Sequence, residues 1–165
     1  MKLLYSQVHS MIQPEIIGKK IGFIASHNHL YIERVLEPYN LKGPMFAFLL
    51  TLSRWDGCSQ ESLARHLNLS KATATRAIRD LEGEGYAFRT RDMDDRRIYR
   101  VFISDSGKQL IPVIHKTLTQ WNGILLSAFS EEEKEIFSRL LGKGLATLEE
   151  FDISSDVKSA ESNNI

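Results

Sequence analysis

Between positions 89 and 100 the chain carries five arginines, Arg89, Arg91, Arg96, Arg97 and Arg100, interleaved with Asp92, Asp94 and Asp95. Guanidinium groups at that density suit phosphate binding and insertion into a narrow duplex groove, where the negative potential is enhanced. The acids offset this charge on paper, and an ordinary charged turn would look similar. Asp95, two residues before Arg97, is placed to orient that guanidinium through a charge-assisted hydrogen bond. Arg91, Asp95, Arg96 and Arg97 are therefore the candidates in this loop. A second group lies upstream: Ser70, Lys71, Ala72, Thr73, Thr75, Arg76 and Arg79. Small residues let a helix approach base edges, and hydroxyls and cations hydrogen-bond bases or phosphates. A merely solvated face more often mixes Glu with Lys, whereas here Asp80 and Glu82 come only at the end of the segment.

The elements that must position these residues are legible from periodicity. Ser59 caps a short helix through Leu67, with Leu63, Ala64 and Leu67 on one face. Asn68 and Leu69 form a tight turn. Ser70 caps a second helix to about Glu82, whose inner stripe is Ala74, Ile78 and Leu81, and Gly83 and Gly85 end it. Ala72, Thr73, Thr75, Arg76 and Arg79 then fall outward or on the flanks. From Tyr86 the period becomes two, and it returns in RIYRVFIS after RDMDDR, which predicts a β-hairpin around an Asp-rich turn. Upstream, Pro14 and Glu15 open a long helix over Ile16 to Leu36, stopped near Pro38, and MFAFLLTLS reads as a buried helix. Downstream, Ser104 and Asp105 start a helix to about Phe129. Its apolar positions Ile111, Ile114, Leu118, Trp121, Leu125 and Ala128 make a short heptad seam, and Pro112 is a kink candidate. Ser130 with Glu133 forms a capping box for a last helix to about Phe151, striped by Ile136, Phe137, Leu140, Leu141, Leu145 and Leu148. The tail from Asp152 is polar.

Composition narrows the function classes. Lys plus Arg and Asp plus Glu are both 21, so the net charge is zero, and only a local basic face speaks for nucleic acid. Cys58 is the single cysteine, which excludes an intramolecular disulfide and a thiolate metal cluster. His9, His27, His29, His66 and His115 form no dense ligand set, and His27 and His29 diverge on a helix, so no metal is expected. No phosphate-cradling glycine loop or nucleophile motif supports an enzyme, and no cofactor is implied. No signal peptide and no apolar run of the ~20 residues needed to cross a bilayer is present, so a soluble, cytoplasmic protein without a membrane partner is expected. A helix pair by itself serves many roles. The competing reading is a winged-helix protein–protein interaction module without DNA binding, whose mark would be an apolar or acidic recognition face.

The run SLARHLNLSKATATRAIRDLEGEGYAFRTRDMDDRRIYRVFISDSG resembles the core signature of the MarR family of winged-helix regulators. The matching points are Leu81-Glu82, Gly85-Tyr86, Arg89, Asp95-Arg96-Arg97, and Ser104 with Gly107, the wing being the most specific. The resemblance extends over roughly residues 16 to 150. It implies a mainly α fold with a small β-hairpin wing, a winged helix-turn-helix plus N- and C-terminal dimerisation helices. The expected division is 1–40, an N-terminal segment and dimerisation helix; 41–104, the DNA-binding winged helix-turn-helix; 105–151, C-terminal dimerisation helices; and 152–165, the tail. It further implies a homodimeric repressor on double-stranded DNA, reading a pseudo-palindromic operator. The helix from Ser70 would enter the major groove, and Arg97, braced by Asp95, the minor groove. Members of the family often respond to small phenolic or anionic effectors, for which His27, Tyr31 and Trp121 are the pocket candidates. Some sense oxidants through a cysteine in the first helix; Cys58 instead precedes the helix-turn-helix, which argues against a redox role.

Overall fold

The computed structural model describes residues 15–150. In chain order it contains α1 (Glu15–Leu36), a single 3-10 turn (Glu37–Tyr39), α2 (Met45–Arg54), β1 (Cys58–Ser59), α3 (Gln60–His66), α4 (Lys71–Gly83), β2 (Ala87–Arg91), β3 (Tyr99–Ile103), α5 (Asp105–Leu125) and α6 (Glu131–Glu150). The expectations for Pro14 and for the tail lie outside the described residues. The chain divides into two compact units between Asn122 and Gly123, inside α5.

The core of the first unit is built where the apolar stripes meet. Phe48, Leu49 and Leu52 of α2 are fully buried, as are Leu63 of α3 and Ile78 and Leu81 of α4. Ile32 and Leu36 join from the end of α1, and Ile114 from α5. The inner stripe of α4 also includes Ala77 at 4% exposure, completing the i, i+3, i+4 pattern with Ala74 and Ile78. Burying all of these apolar side chains together is what fixes α4 against α2 and α3 and leaves its opposite face to solvent.

The helix-turn-helix owes its shape to its caps. Ser59 Oγ accepts the Ser62 N–H at 3.1 Å, and Ser70 Oγ accepts the Thr73 N–H at 3.1 Å. Both helices end in the same motif. At the end of α3 the Leu69 N–H donates to Ala64 O and the Asn68 N–H to Arg65 O, with Asn68 at φ +50. At the end of α4 the Tyr86 N–H donates to Leu81 O and the Gly85 N–H to Glu82 O, with Gly85 at φ +73. These six-to-one and five-to-two bonds satisfy the last carbonyls and require a left-handed residue, which Asn and Gly supply at least cost.

The expected hairpin is formed by β2 and β3, and β1 adds a short third strand to it. The result is a three-stranded antiparallel sheet in the order β1-β3-β2. Ala87 pairs with Ile103 and Arg91 with Tyr99, while Cys58 pairs with Val101 and Ser59 with Arg100. A strand of two residues has no periodicity to read, and only its pairing with β3 defines it. Ser104 Oγ then accepts the Gly107 N–H at 3.0 Å and starts α5. Gly107 is obligatory for contact: a Cβ there would stand 2.2 Å from the backbone oxygen of Tyr86.

The heptad seam proposed for α5 requires correction. The helix runs unbroken through Pro112 but ends at Leu125, so Ala128 lies beyond it in a turn. Ile114 is fully buried inside its own chain, with Leu110 and Thr117 beside it. The same spacing that resembles an intermolecular seam is used in this stretch to cover the chain's own core. In the second unit the expected capping box is formed: the Ser130 N–H donates to Glu133 Oε2 at 2.8 Å and the Glu133 N–H to Ser130 Oγ at 3.2 Å. The stripe of α6 is uncovered, with Ile136, Leu140, Leu141, Leu145 and Leu148 all exposed.

Candidate nucleic-acid interface

Because Ala74, Ala77, Ile78 and Leu81 are turned inward, α4 presents Lys71, Ala72, Thr73, Thr75, Arg76 and Arg79 to solvent. Lys71, Ala72, Thr75, Arg76 and Arg79 line an open cleft of about 590 Å³. Three cations and two small side chains along one shallow groove make a surface that attracts a polyanion and lets it come close. Arg79 lies 3.9 Å from Asp80, a loose pair with both side chains at least half exposed. Ser70 and Thr73 share a hydroxyl–hydroxyl hydrogen bond of 2.8 Å at the start of the helix.

The wing loop is built on two aspartates. Asp92 is buried, and its Oδ1 accepts the N–H groups of Asp94 at 2.8 Å and Asp95 at 3.0 Å. Its Oδ2 accepts from Arg100 Nε, and Arg100 Nη1 donates on to Gly57 O at 3.1 Å. The backbone N–H groups of Asp95 and Asp94, with the guanidinium of Arg100, hold the Asp92 carboxyl down to about 2. Asp95 accepts from the Arg97 N–H at 3.0 Å, from Arg97 Nε at 3.1 Å and from Arg97 Nη2 at 3.4 Å. Its carboxyl is also lowered, chiefly by that backbone N–H and then by the side chain. The Arg97 side chain nonetheless remains 91% exposed, so the brace sets its direction without covering it. Arg96 is exposed beside it, and Arg91 lies over the Tyr99 ring at 5.8 Å.

The five arginines are thus not equivalent, which their spacing did not show. Arg89 donates from Nε to Glu82 Oε1 at 2.9 Å and from Nη2 to Glu82 Oε2 at 2.6 Å. It is an internal strut between β2 and α4, and the hydrogen bonds to Glu82 raise its already high pKa. Arg100 is held between Asp92 and Gly57. Arg91, Arg96 and Arg97 are left facing outward. Sequence reasoning also missed Gln60, whose Nε2 donates to Thr75 Oγ1 at 2.7 Å. The only available signal was its position directly after the cap Ser59.

Of the effector-pocket candidates, Tyr31 and Trp121 come together, their ring centroids 5.7 Å apart. His27 instead pairs with Phe23, centroids 4.2 Å apart, and its Nδ1 lies 2.9 Å from Phe23 O. On the same helix Asn28 has a buried Oδ1 that meets no hydrogen-bond partner among the described residues, a polar atom that sequence reading passed over. Cys58 is buried in β1, and burial pushes its thiol pKa up, the opposite of what a reactive thiolate needs. Among the described residues no group of three or more His, Cys, Asp and Glu side chains converges to hold a metal, and no helix is long and apolar enough to cross a membrane.

A capped helix-turn-helix with a cationic outer face, followed by a three-stranded arginine-bearing sheet, defines a winged helix-turn-helix protein. Residues 42–99 match the MarR family model. A solved MarR transcriptional regulator from Methanosarcina mazei Go1 is 40% identical, with a TM-score of 0.76 covering 83% of this chain and 99% of that one. The HTH-type transcriptional regulator BilQ of Clostridioides difficile (strain CD3) is 28% identical over 130 residues, 78% of this chain and 88% of that protein. A MarR family regulator from Listeria monocytogenes, solved in complex with a 26mer DNA, is 26% identical with a TM-score of 0.73, covering 79% of this chain and 87% of that one. The chain belongs to the MarR family of transcriptional regulators.

Proposed function

We propose that the protein is a DNA-binding transcriptional repressor that acts in the cytoplasm as a homodimer on a pseudo-palindromic operator. Residues 41–104 form the reading lobe: α4 enters the major groove with Lys71, Ala72, Thr73, Thr75, Arg76 and Arg79, started by Ser70, and the wing lays Arg91, Arg96 and Arg97 toward the minor groove. The segments 1–40 and 105–151 supply the dimer contacts, and a small anionic or phenolic effector near Tyr31 and Trp121 releases the DNA by favouring one spacing of the lobes over another. The observation that carries the reading is the pairing of an open cationic cleft on α4 with an exposed Arg97 oriented by Asp95. A recognition face of this composition is neither apolar nor acidic, which favours DNA over a protein partner. The operator is obtained by selecting bound duplexes from a random pool. Arg97→Ala is then expected to weaken operator binding by about tenfold or more, the scale of one lost phosphate or groove contact, with an unchanged melting temperature. A folded variant with wild-type affinity removes the wing assignment. Wild-type protein that ignores heparin and every duplex in dilute salt removes the DNA reading altogether.

A further inference from the structure

Gln60 opens α3 and belongs to neither group of residues expected to meet DNA, yet its side-chain amide is held at both ends. Arg89 Nη1 donates to Gln60 Oε1 at 3.4 Å, and Gln60 Nε2 donates to Thr75 Oγ1 at 2.7 Å. Arg89 is itself anchored by its two bonds to Glu82. The cation decides which way the amide points: turned over, the Gln60 amino group would face a guanidinium that can only donate. The Thr75 hydroxyl has one proton, and it donates that proton to Lys71 O at 2.8 Å. Thr75 therefore accepts from Gln60 and donates to its own helix. What it shows to the cleft is one remaining lone pair and a methyl group.

We propose that Gln60 is a positioning residue for base recognition, holding the exposed Thr75 hydroxyl as an acceptor only and so restricting it to the exocyclic amines of adenine N6 or cytosine N4. Phosphate oxygens, guanine N7 and O6, and thymine O4 are all acceptors and gain nothing from a hydroxyl whose proton is committed. The chain Glu82–Arg89–Gln60–Thr75 thereby ties the chemistry of the recognition helix to the wing strand. The inference rests on the reading of α4 as the helix that enters the major groove.

The test is selection of bound duplexes from a random pool by the full-length protein and three variants. Thr75→Val removes the acceptor but keeps the shape, and the operator position at which it flattens the preference is the one Thr75 touches. Gln60→Met keeps the side-chain length without donor or acceptor, and Gln60→Glu keeps the contact with Arg89 but cannot donate to Thr75. The wild type is expected to prefer, at that position, a base presenting an amine to the helix, by about tenfold. Both Gln60 variants should relax that single preference with melting temperature unchanged, and for the neutral Gln60→Met the affinity for non-specific duplex and its salt slope should also stay at wild-type values. A purely structural role would instead lower affinity at all positions together. The proposal fails if a folded Gln60 variant selects the same base with the same stringency, or if the Thr75-dependent position prefers an acceptor. If the wild type enriches no duplex, it is the DNA reading that fails.

Discussion

Asp92 and Asp95 stand three residues apart on the wing and hold two different arginines, with opposite consequences. Asp92 ties Arg100 inward to the loop at Gly57, whereas Asp95 points Arg97 outward. The first bond shapes the loop and the second shapes its charge. Asp92 has a depressed folded-state pKa of about 2 against an ordinary value of 3.8. Its contribution to wing order is thus complete above the ordinary carboxylate range and lost as pH falls through about 2. The amide signals of Asp94 and Asp95, followed by NMR during acid titration, should stay protected from pH 7 to about pH 3. Loss of both amides already at pH 5 would contradict this arrangement. Asp92→Asn should loosen the wing at neutral pH, seen in the same amides.

At the scale of elements, the helix-turn-helix is specified by its ends more than by its middle. Ser59 and Ser70 begin the two helices, and Asn68 and Gly85 end them with positive φ. Gly85 also directs the chain from α4 into β2, and Ser104 Oγ donates to its carbonyl at 2.6 Å, so one residue links recognition helix, wing and the start of α5. Among the described residues no atom crowds the place where a Cβ would sit at Gly85, so it is the left-handed backbone that opposes a side chain there. Gly85→Ala is accordingly expected to destabilise the fold by about 1–2 kcal/mol. Chemical denaturation measures this directly, and a stability equal to wild type would show that the turn adopts another conformation. These end signals are short-range, within three to six residues, and for that reason they were legible in the sequence. The pairing of Cys58–Ser59 with Val101 and Arg100 reaches over forty residues and left no local trace.

At the scale of the whole molecule, the apolar side chains that the described residues leave exposed are the main guide to assembly. In α1, Ile17, Ile21, Phe23 and Leu30 are exposed, and in α6 so are Leu140, Leu141, Leu145 and Leu148. In α6 these residues share one face, and a contiguous apolar face marks an interaction surface rather than scattered apolar residues, whereas in α1 Ile17 and Ile21 lie on one side and Phe23 and Leu30 on the other. The protein is expected to sediment as a dimer. Replacing Leu141 and Leu145 together with Glu should yield a folded monomer whose operator affinity is lower by about 100-fold or more, since one lobe then binds without its tethered partner. A monomeric wild type, or a variant that remains dimeric, would exclude α6 from the interface. In α5, by contrast, Ile114 of the heptad pattern is buried in the chain's own core.

The amino-acid order by itself determined the succession of helices, the inward stripe of α4 and the resemblance to one family of regulators, because periodicity, capping and the Asp-Arg-Arg wing are written within a few consecutive residues. It also placed Asp95 against Arg97, two positions apart. Only the tertiary structure decided which cations remain free. Arg89 meets Glu82 seven residues away and Gln60 twenty-nine away, and Arg100 meets Gly57 forty-three away. A contact over such distances depends on how the sheet and helices pack, and the charge pattern of a segment looks the same whether its arginines face an acceptor of the protein or open water.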